Sequence, residues 1–474
     1  MMRLKQSLGL ILCGWAVFSW GWYVYHPGED LTRPEVFWPD INGVRPTPDS
    51  PMKWVEIKLD YELARVKSTK NLFLNSLLAW ESAPGSEVRI IYTGPVALEG
   101  GWNEHTGDGI NAVELVRSGW GIGSTFVALA VPEYNTQTSR LYEVDIFLNG
   151  EDYQFGNLDF GLGNADLANI LTHELGHFLG LGHSQVWLAT MSNSTRPSET
   201  RRRTLHPDDR QALSWLYPSN SAPPPPSLWK LRKEACQGQW DYDYFPEVLD
   251  ESTAQAGFCL YGAGFFNEGY QLFLVSARTG EKKNPFSNLS YLSENLFSLQ
   301  IDLSQLVPDS YGLILQDGRG RKSYITQALI IKQSGNSLPI ATIQPEKIEI
   351  ELGEEVELDG SGSYDPEGSP LNFNWLVIDS DHPLEIPDSS QAKISLQPPE
   401  EGDYLLGLMV DDGVNFSVIT QALVSVSSGD SEGCGCQLAS SSEWKGTFFL
   451  PGFFILLFLF ALKLWGSGVN KNTG

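Results

Sequence analysis

The stretch His173-Glu174-Leu175-Gly176-His177-Phe178-Leu179-Gly180-Leu181-Gly182-His183 places three imidazoles and one carboxylate at spacings that suit a metal ion. Residues four apart on a helix share a face, so His173 and His177 present their rings side by side. Gly180 can take the backbone conformation that ends a helix and turns the chain, which returns His183 as a third ligand. Neutral imidazoles bind Zn²⁺ at about 2.0–2.1 Å, and three protein ligands leave a fourth position for water. Zinc lowers the pKa of that water toward about 7, giving a nucleophile at neutral pH. Glu174 adjoins the first ligand and can reach the water without binding the metal. It is therefore the candidate general base, able to pass the proton on to a leaving amine. A lone H-E-x-x-H arises by chance. The added glycine, third histidine and following methionine weigh against ordinary surface or core histidines.

Local elements must hold these groups. Leu167, Ile170, Leu171 and Leu175 recur at helical spacing, with Asn164 available as the N-cap. Upstream, residues 54–59, 88–92, 126–131 and 142–149 read as strands, and Asn71 to Ser82 as a helix with Leu72, Leu74, Leu77, Leu78 and Trp80 for a core. A helix from Asp208 to Tyr217 closes the domain.

The motif with a later methionine resembles the metzincins. Ser184 directly after the third histidine, and Ala189-Thr190-Met191 soon after, resemble the matrixin branch. The resemblance implies one catalytic zinc on His173, His177 and His183, Glu174 as the base, and Met191 as an apolar floor beneath the metal. Leu205-His206-Pro207-Asp208-Asp209 is similar to the start of the matrixin C-terminal helix. The resemblance also implies that the strand at 142–149 forms the upper rim of the cleft, where an extended substrate adds by main-chain hydrogen bonds. The family usually has Tyr-Pro after the methionine. Here Ser192-Asn193 follows, which leaves the lower wall of the substrate pocket unassigned. Matrixins of the animal type block their zinc with a pro-segment cysteine, and none lies between Cys13 and the motif. They also hold a second zinc on upstream histidines. Only His105 lies between His26 and His173, so a second zinc is not expected.

The 474 residues suit about three domains. A formal charge of -26 repels phosphate backbones, so nucleic acid is not an expected partner. Aromatic content of 12% favours packed domains over disorder. Cys236 and Cys259 form either a disulfide, as suits an exported protein, or two unpaired thiols. Asp145, Asn149, Asp152, Asn157, Asp159 and Asp166 carry the oxygen donors that Ca²⁺ requires, although acidic loops are equally expected in so negative a chain.

Residues 1–25 have a basic start and an apolar run, hence a secretory signal or an uncleaved anchor. Residues 26–50 form a pro-segment or linker, 51–218 the catalytic domain and 219–227 a proline-rich spacer. Residues 228–335 read as a β-sandwich from short alternating segments. Residues 338–428 resemble a PKD domain, an immunoglobulin-like sandwich. The resemblance rests on Leu358-Asp359-Gly360-Ser361-Gly362-Ser363-Tyr364-Asp365-Pro366, Phe373-Asn374-Trp375, Gly402-Asp403-Tyr404 and Val410-Asp411-Asp412-Gly413. Residues 429–446 link onward with Cys434 and Cys436. Residues 447–465 suit a transmembrane segment before a tail at 466–474. Cysteine patch, span and tail are similar to C-terminal sorting tags of the MYXO-CTERM type, without their arginine cluster.

The fold class expected is multidomain: an α+β metzincin (zincin) catalytic domain, two β-sandwich modules and a C-terminal transmembrane segment. The function expected is a zinc-dependent endopeptidase acting on protein or peptide substrates, exported and held at the cell surface or extracellular. The alternative is a surface-binding or adhesion protein whose protease domain is degenerate. A basic run, Arg201-Arg202-Arg203, reads as a solvated loop bordering the specificity pocket or as a nick site.

Overall fold

The computed structural model describes residues 35–427 apart from 98–105, 136, 159–162, 185, 193, 196–198, 220–223, 235, 237–245 and 268, together with Phe454–Ile455. The expected signal or anchor, the linker with Cys434 and Cys436, the sorting tag, His105 and Asp159 lie outside the described residues. So does the span at 447–465, save for Phe454–Ile455, which pair with Ser194–Thr195. No helix among the described residues is long and apolar enough to cross a membrane.

The first domain is built on a five-stranded sheet of β1 (Val55–Asp60), β2 (Ile90–Val96), β3 (Ala112–Val116), β4 (Ala128–Tyr134) and β5 (Leu141–Asn149), in the order β2-β1-β3-β5-β4. All neighbours run parallel except β4 against β5. The short helix α1 (Tyr61–Ala64) and α2 (Lys67–Glu81) make the crossover that a parallel β1–β2 pair requires. Helix α3 (Leu167–Phe178) packs against α2, where the buried Trp80 indole donates to the Thr172 carbonyl at 2.8 Å. Helix α4 (Pro207–Leu216) closes the domain.

The structure adds β3, which the sequence pattern did not show, and differs from the sequence reading at the sheet edge and at the cap of α3. The outer strand is β4, not the strand at 142–149, because β4 folds back antiparallel onto β5 and covers that edge. The N-cap of α3 is Asp166, whose carboxylate accepts from the Asn169 amide at 2.8 Å. Asn164, two residues earlier, accepts instead from the Gln154 amide.

Residues 35–38, within the expected pro-segment or linker, pack into this domain. Val36, Phe37 and Trp38 are buried, and the Trp38 indole donates to the Phe178 carbonyl at 2.7 Å, satisfying a group at the end of α3. The proline run is likewise not free. Pro224 accepts from the Arg321 guanidinium at 2.8 Å, and Pro226 accepts from the Ser323 hydroxyl.

The second module is a sandwich of a five-stranded and a four-stranded sheet spanning Ser227 to Lys332. Cys236 and Cys259 are joined in it as a disulfide. Its Trp229, Tyr261 and Leu296 belong to the same buried apolar cluster as Trp215 and Leu216 of the first domain. The third module pairs Lys347–Glu351, Thr420–Ser427, Gly402–Asp411 and Asn372–Ser380 in one sheet and Val356–Asp359 with Lys393–Leu396 in a second. Trp375, Leu358, Leu406 and Val424 fill its core. Gln327 of the second module donates to the Ser417 carbonyl at 2.9 Å and accepts from the Ile419 amide at 3.0 Å, so the third module is bonded to the second.

Candidate metal centre

Every residue of helix α3 is buried, the polar Asn169, Thr172, His173, Glu174 and His177 included. The helix carries His173 and His177 one turn apart, with ring centroids 4.9 Å from each other. The chain leaves the helix through Leu179 and Gly180. Gly180 has φ 90°, and a Cβ there would come within 2.7 Å of the Val36 carbonyl oxygen, so only glycine fits both the backbone and the space. The turn brings the His183 ring to 4.8 Å from that of His177. One ligand atom of each of the three histidines lies within 4.8 Å of the others, and all three are buried.

The outer nitrogens fix the tautomers. His173 Nδ1 lies 2.7 Å from the Thr190 carbonyl and His177 Nδ1 lies 2.8 Å from the Leu181 carbonyl. A carbonyl can only accept, so each Nδ1 carries the proton and Nε2 keeps its lone pair for a metal. His173 Nε2 is buried with no hydrogen-bond partner among the described residues. A buried nitrogen base left in this way is costly unless something binds it. This donor set, three neutral imidazoles with two of them oriented by carbonyls, fits Zn²⁺.

Electrostatics keep the ligands neutral. Burial pushes the His177 imidazolium down to about 4, with the Arg202 charge adding to the effect. Burial also drives His173 and His183 well below the usual histidine range, again helped by neighbouring positive charge. Arg202 is itself buried, with Nη1 3.1 Å from His173 Nδ1. That nitrogen already gives its proton to Thr190, so the guanidinium acts there as a charge rather than as a donor. Glu174 is 2% exposed, and burial pushes its carboxyl up to about 8 against the Arg202 charge and the Ala130 amide.

Met191 lies beneath α3. A Cβ on Gly176 would come within 2.2 Å of Met191 Sδ, so the sulfur touches the helix between the two histidines. Asp209 pins the turn that carries it, accepting from the Thr190 amide at 2.8 Å and the Met191 amide at 3.0 Å. Ser184 donates to Asp208 at 2.6 Å, and its amide donates to the Met191 carbonyl at 2.7 Å.

The sequence reading missed Arg202, Asp209 and the indole bond of Trp80. Within the basic run only position tells the arginines apart, and none is a solvated residue. Arg201 pairs with Glu199 at 2.8 Å, Arg202 enters the centre, and Arg203 donates to Asp166 at 2.9 Å. The oxygens considered for calcium do not converge. Asn149 donates to Asp152 at 2.8 Å, Asn157 accepts from Arg203, Asp166 caps α3, and Asp145 accepts from the Ala112 amide. Among the described residues the only cluster of three or more His, Cys, Asp or Glu side chains placed to share a metal is the three histidines, which leaves calcium without support.

Comparison with known proteins agrees with the geometry of this region. Residues 129–218 match the family model described as Matrixin, and residues 346–426 match a family model of the PKD domain. A curated relative, metalloendoproteinase 1-MMP of Arabidopsis thaliana, is 45% identical over 56 residues, covering 12% of this chain and 15% of that protein. The chain thus spans only a small part of the length of the relative it matches. These matches liken residues 129–218, and not the whole chain, to the Matrixin family. Among solved structures, the PKD domain of human KIAA0319 is 20% identical, covering 22% of this chain and 95% of that one, with a TM-score of 0.19. A nucleoside hydrolase-related hypothetical protein of Saccharophagus degradans is 24% identical, covering 19% of this chain and 26% of that one, with a TM-score of 0.18. At these TM-scores neither likeness bears on the fold of the whole chain.

Proposed function

We propose that the chain is a zinc-dependent endopeptidase that cleaves proteins outside the cell or at its surface. One observation carries this reading: three buried imidazoles, two with their tautomers fixed, meet within 4.8 Å around the helix that also bears Glu174. When bound, Zn²⁺ supplies a Lewis acid that acidifies water and polarises a scissile carbonyl. The chain's own residues do the rest. His173, His177 and His183 hold the ion, and the Thr190 and Leu181 carbonyls orient two of the rings. Glu174 takes the proton from the attacking water and returns it to the leaving amine. Burial raises its affinity for a proton, which favours the return of that proton to the amine, and the charge of a bound ion would draw the carboxyl back toward the ionised form that accepts it. The outer edge of β4, the last strand of its sheet, can pair with an extended substrate, and the hydrogen bond between Ala130 and Glu174 puts that strand beside the base. Met191 gives the site an apolar floor.

The test is Glu174→Gln in the full chain. Metal analysis should find one zinc per chain in parent and variant, while cleavage of a peptide library falls by at least about a thousandfold in the variant. A variant that cleaves as the parent does removes Glu174 from the mechanism. A parent that binds no zinc removes the reading.

A further inference from the structure

The third module lies against the segment that builds the metal centre. Leu188, fully buried three residues before Met191, forms an apolar cluster with Leu405 and Leu423 of the module, flanked by Trp187 and Ile378. Beside this cluster Arg201 Nε meets Asp403 at 3.0 Å, with side chains only 15% and 11% exposed. A second polar contact sets His206 Nε2 against Asp379 at 3.6 Å, each side chain 6% exposed. With so little water present these charges are weakly screened.

Each contact leads to His173 in a short chain of bonds. Asp379 faces His206, and the His206 amide donates to Asp209 at 3.0 Å. Asp209 holds the Thr190 amide, and the Thr190 carbonyl fixes the His173 ring. Asp403 holds Arg201, next in the chain to Arg202, whose amide donates to Asn169 of α3 and whose guanidinium lies beside His173. The second module fixes the third from behind, through Gln327 and through Arg278, which pairs with Asp411 at 2.9 Å. The module therefore rests on two bodies and cannot swing away without breaking both contacts.

We propose that the third module buttresses the metal centre from outside, with Asp379, Asp403 and Leu405 as positioning residues that hold the chain around Met191 and Arg202 and, through it, His173. A spacer or independent binding unit would not need charges desolvated against this particular loop. The effect on turnover rests on the peptidase reading. The effect on the loop and on zinc retention does not.

Protonation of His206 adds a charge opposite Asp379, although it falls on Nδ1 and ends that atom's acceptance of the Asp208 amide at 3.2 Å. Burial works against its charge, but Asp379, Asp209 and Asp208 outweigh it and raise the imidazole above the usual range. Asp381 from the module, with Arg201 and Arg210 from the first domain, line the same cleft. A raised folded-state pKa contributes stability that is complete below the unfolded value near 6.5 and is lost as pH rises through the folded value.

The experiment compares the full zinc-loaded chain with Asp379→Asn combined with Asp403→Asn, which keep shape and remove charge. Amide exchange at Thr190, Met191, Arg202 and His206 should speed up by about tenfold, as a coupling of this kind allows, while Leu406 and Val424 in the module core stay protected. Zinc loss to a chelator should accelerate and kcat/KM should fall by a similar factor. Protection of the four amides in the parent should decline above pH 6.5, and this dependence should weaken in Asp379→Asn, where Asp209 and Asp208 remain, and return in Asp379→Glu. Glu357→Gln, on the module's other sheet, should change none of these. Unchanged exchange and zinc loss in the double variant overturn the proposal. So does faster exchange with zinc loss and turnover as in the parent. If the parent holds zinc yet cleaves nothing, exchange and zinc loss still decide for or against the seam, and only the peptidase reading falls. Should the double variant not fold, Asp403→Asn alone, read at the same amides, gives the same decision.

Discussion

Gly176 sits in mid-helix between His173 and His177, where alanine would normally be the better residue by about 1 kcal/mol. The structure reverses that preference. An alanine Cβ would lie 2.2 Å from Met191 Sδ, 3.0 Å from Met191 Cε and 2.9 Å from Trp80 Cζ2. Ordinary carbon contacts begin at about 3.5 Å, so the sulfur would have to retreat by more than about 1 Å. It has little room, since Met191 is 2% exposed and its amide is tied to Asp209 at 3.0 Å. Overpacking of this kind costs about 1–3 kcal/mol, and a clash this close belongs at the upper end. Net of the helix gain, Gly176→Ala should destabilise the first domain by about 1–2 kcal/mol. Displacement of Met191 also moves Thr190, whose carbonyl orients His173, so zinc should be lost faster. Met191→Ala alone should cost about 2–5 kcal/mol by leaving a cavity. The double variant should cost clearly less than the sum, by about 1 kcal/mol or more, because the new methyl enters the space vacated. Thermal unfolding of the four proteins, with zinc and with chelator, reads all these quantities. A Gly176→Ala chain at least as stable as the parent, or strictly additive costs, would refute the placement of Met191 under the helix.

Two further outcomes follow from buried groups elsewhere. Burial, with Glu143 and Asp108 nearby, pushes the Asp145 carboxyl up to about 8, against about 3.9 when unfolded. The folded chain thus binds one more proton across that interval, and its stability falls as pH rises from about 4 through about 8. Asp145→Asn should be more stable than the parent, with a gap wider at about pH 8 than at about pH 5. Urea unfolding of the first domain at both values checks this, and a gap that narrows with pH refutes it. The Cys236–Cys259 bond closes a separation of 23 residues, for which chain entropy gives about 3.5 kcal/mol. Replacing both cysteines with alanine should lower the unfolding temperature of the second module, and calorimetry showing no change would contradict the bond's structural role.

The convergence of His173, His177 and His183 was legible in the sequence because it is local: a four-residue spacing on a helix and a glycine turn suffice to bring three rings together. What the sequence concealed depends on distant partners. Arg201, Arg202 and Arg203 are indistinguishable as residues, yet they face the third module, the metal centre and the cap of α3. Ala112–Val116 lacks a clean alternation because neighbouring strands and packing cover most of its residues, so β3 escaped notice. Strand order is likewise non-local, and β4 rather than β5 became the outer edge. Proline-rich composition announces extended backbone correctly. It does not reveal whether that backbone lies free or is held, as Pro224 and Pro226 are held by Arg321 and Ser323.

The threading of Val36 to Trp38 beneath the end of α3 has a practical corollary for handling the chain. A fragment trimmed to residue 51, the start suggested by strand pattern alone, would leave a slot against Gly180 and strip the indole from the Phe178 carbonyl. Water and stray peptides would then reach the underside of the helix from behind. Any fragment meant to report native zinc affinity should therefore begin ahead of Glu35, whose carboxylate also anchors the Trp215 indole at 2.9 Å.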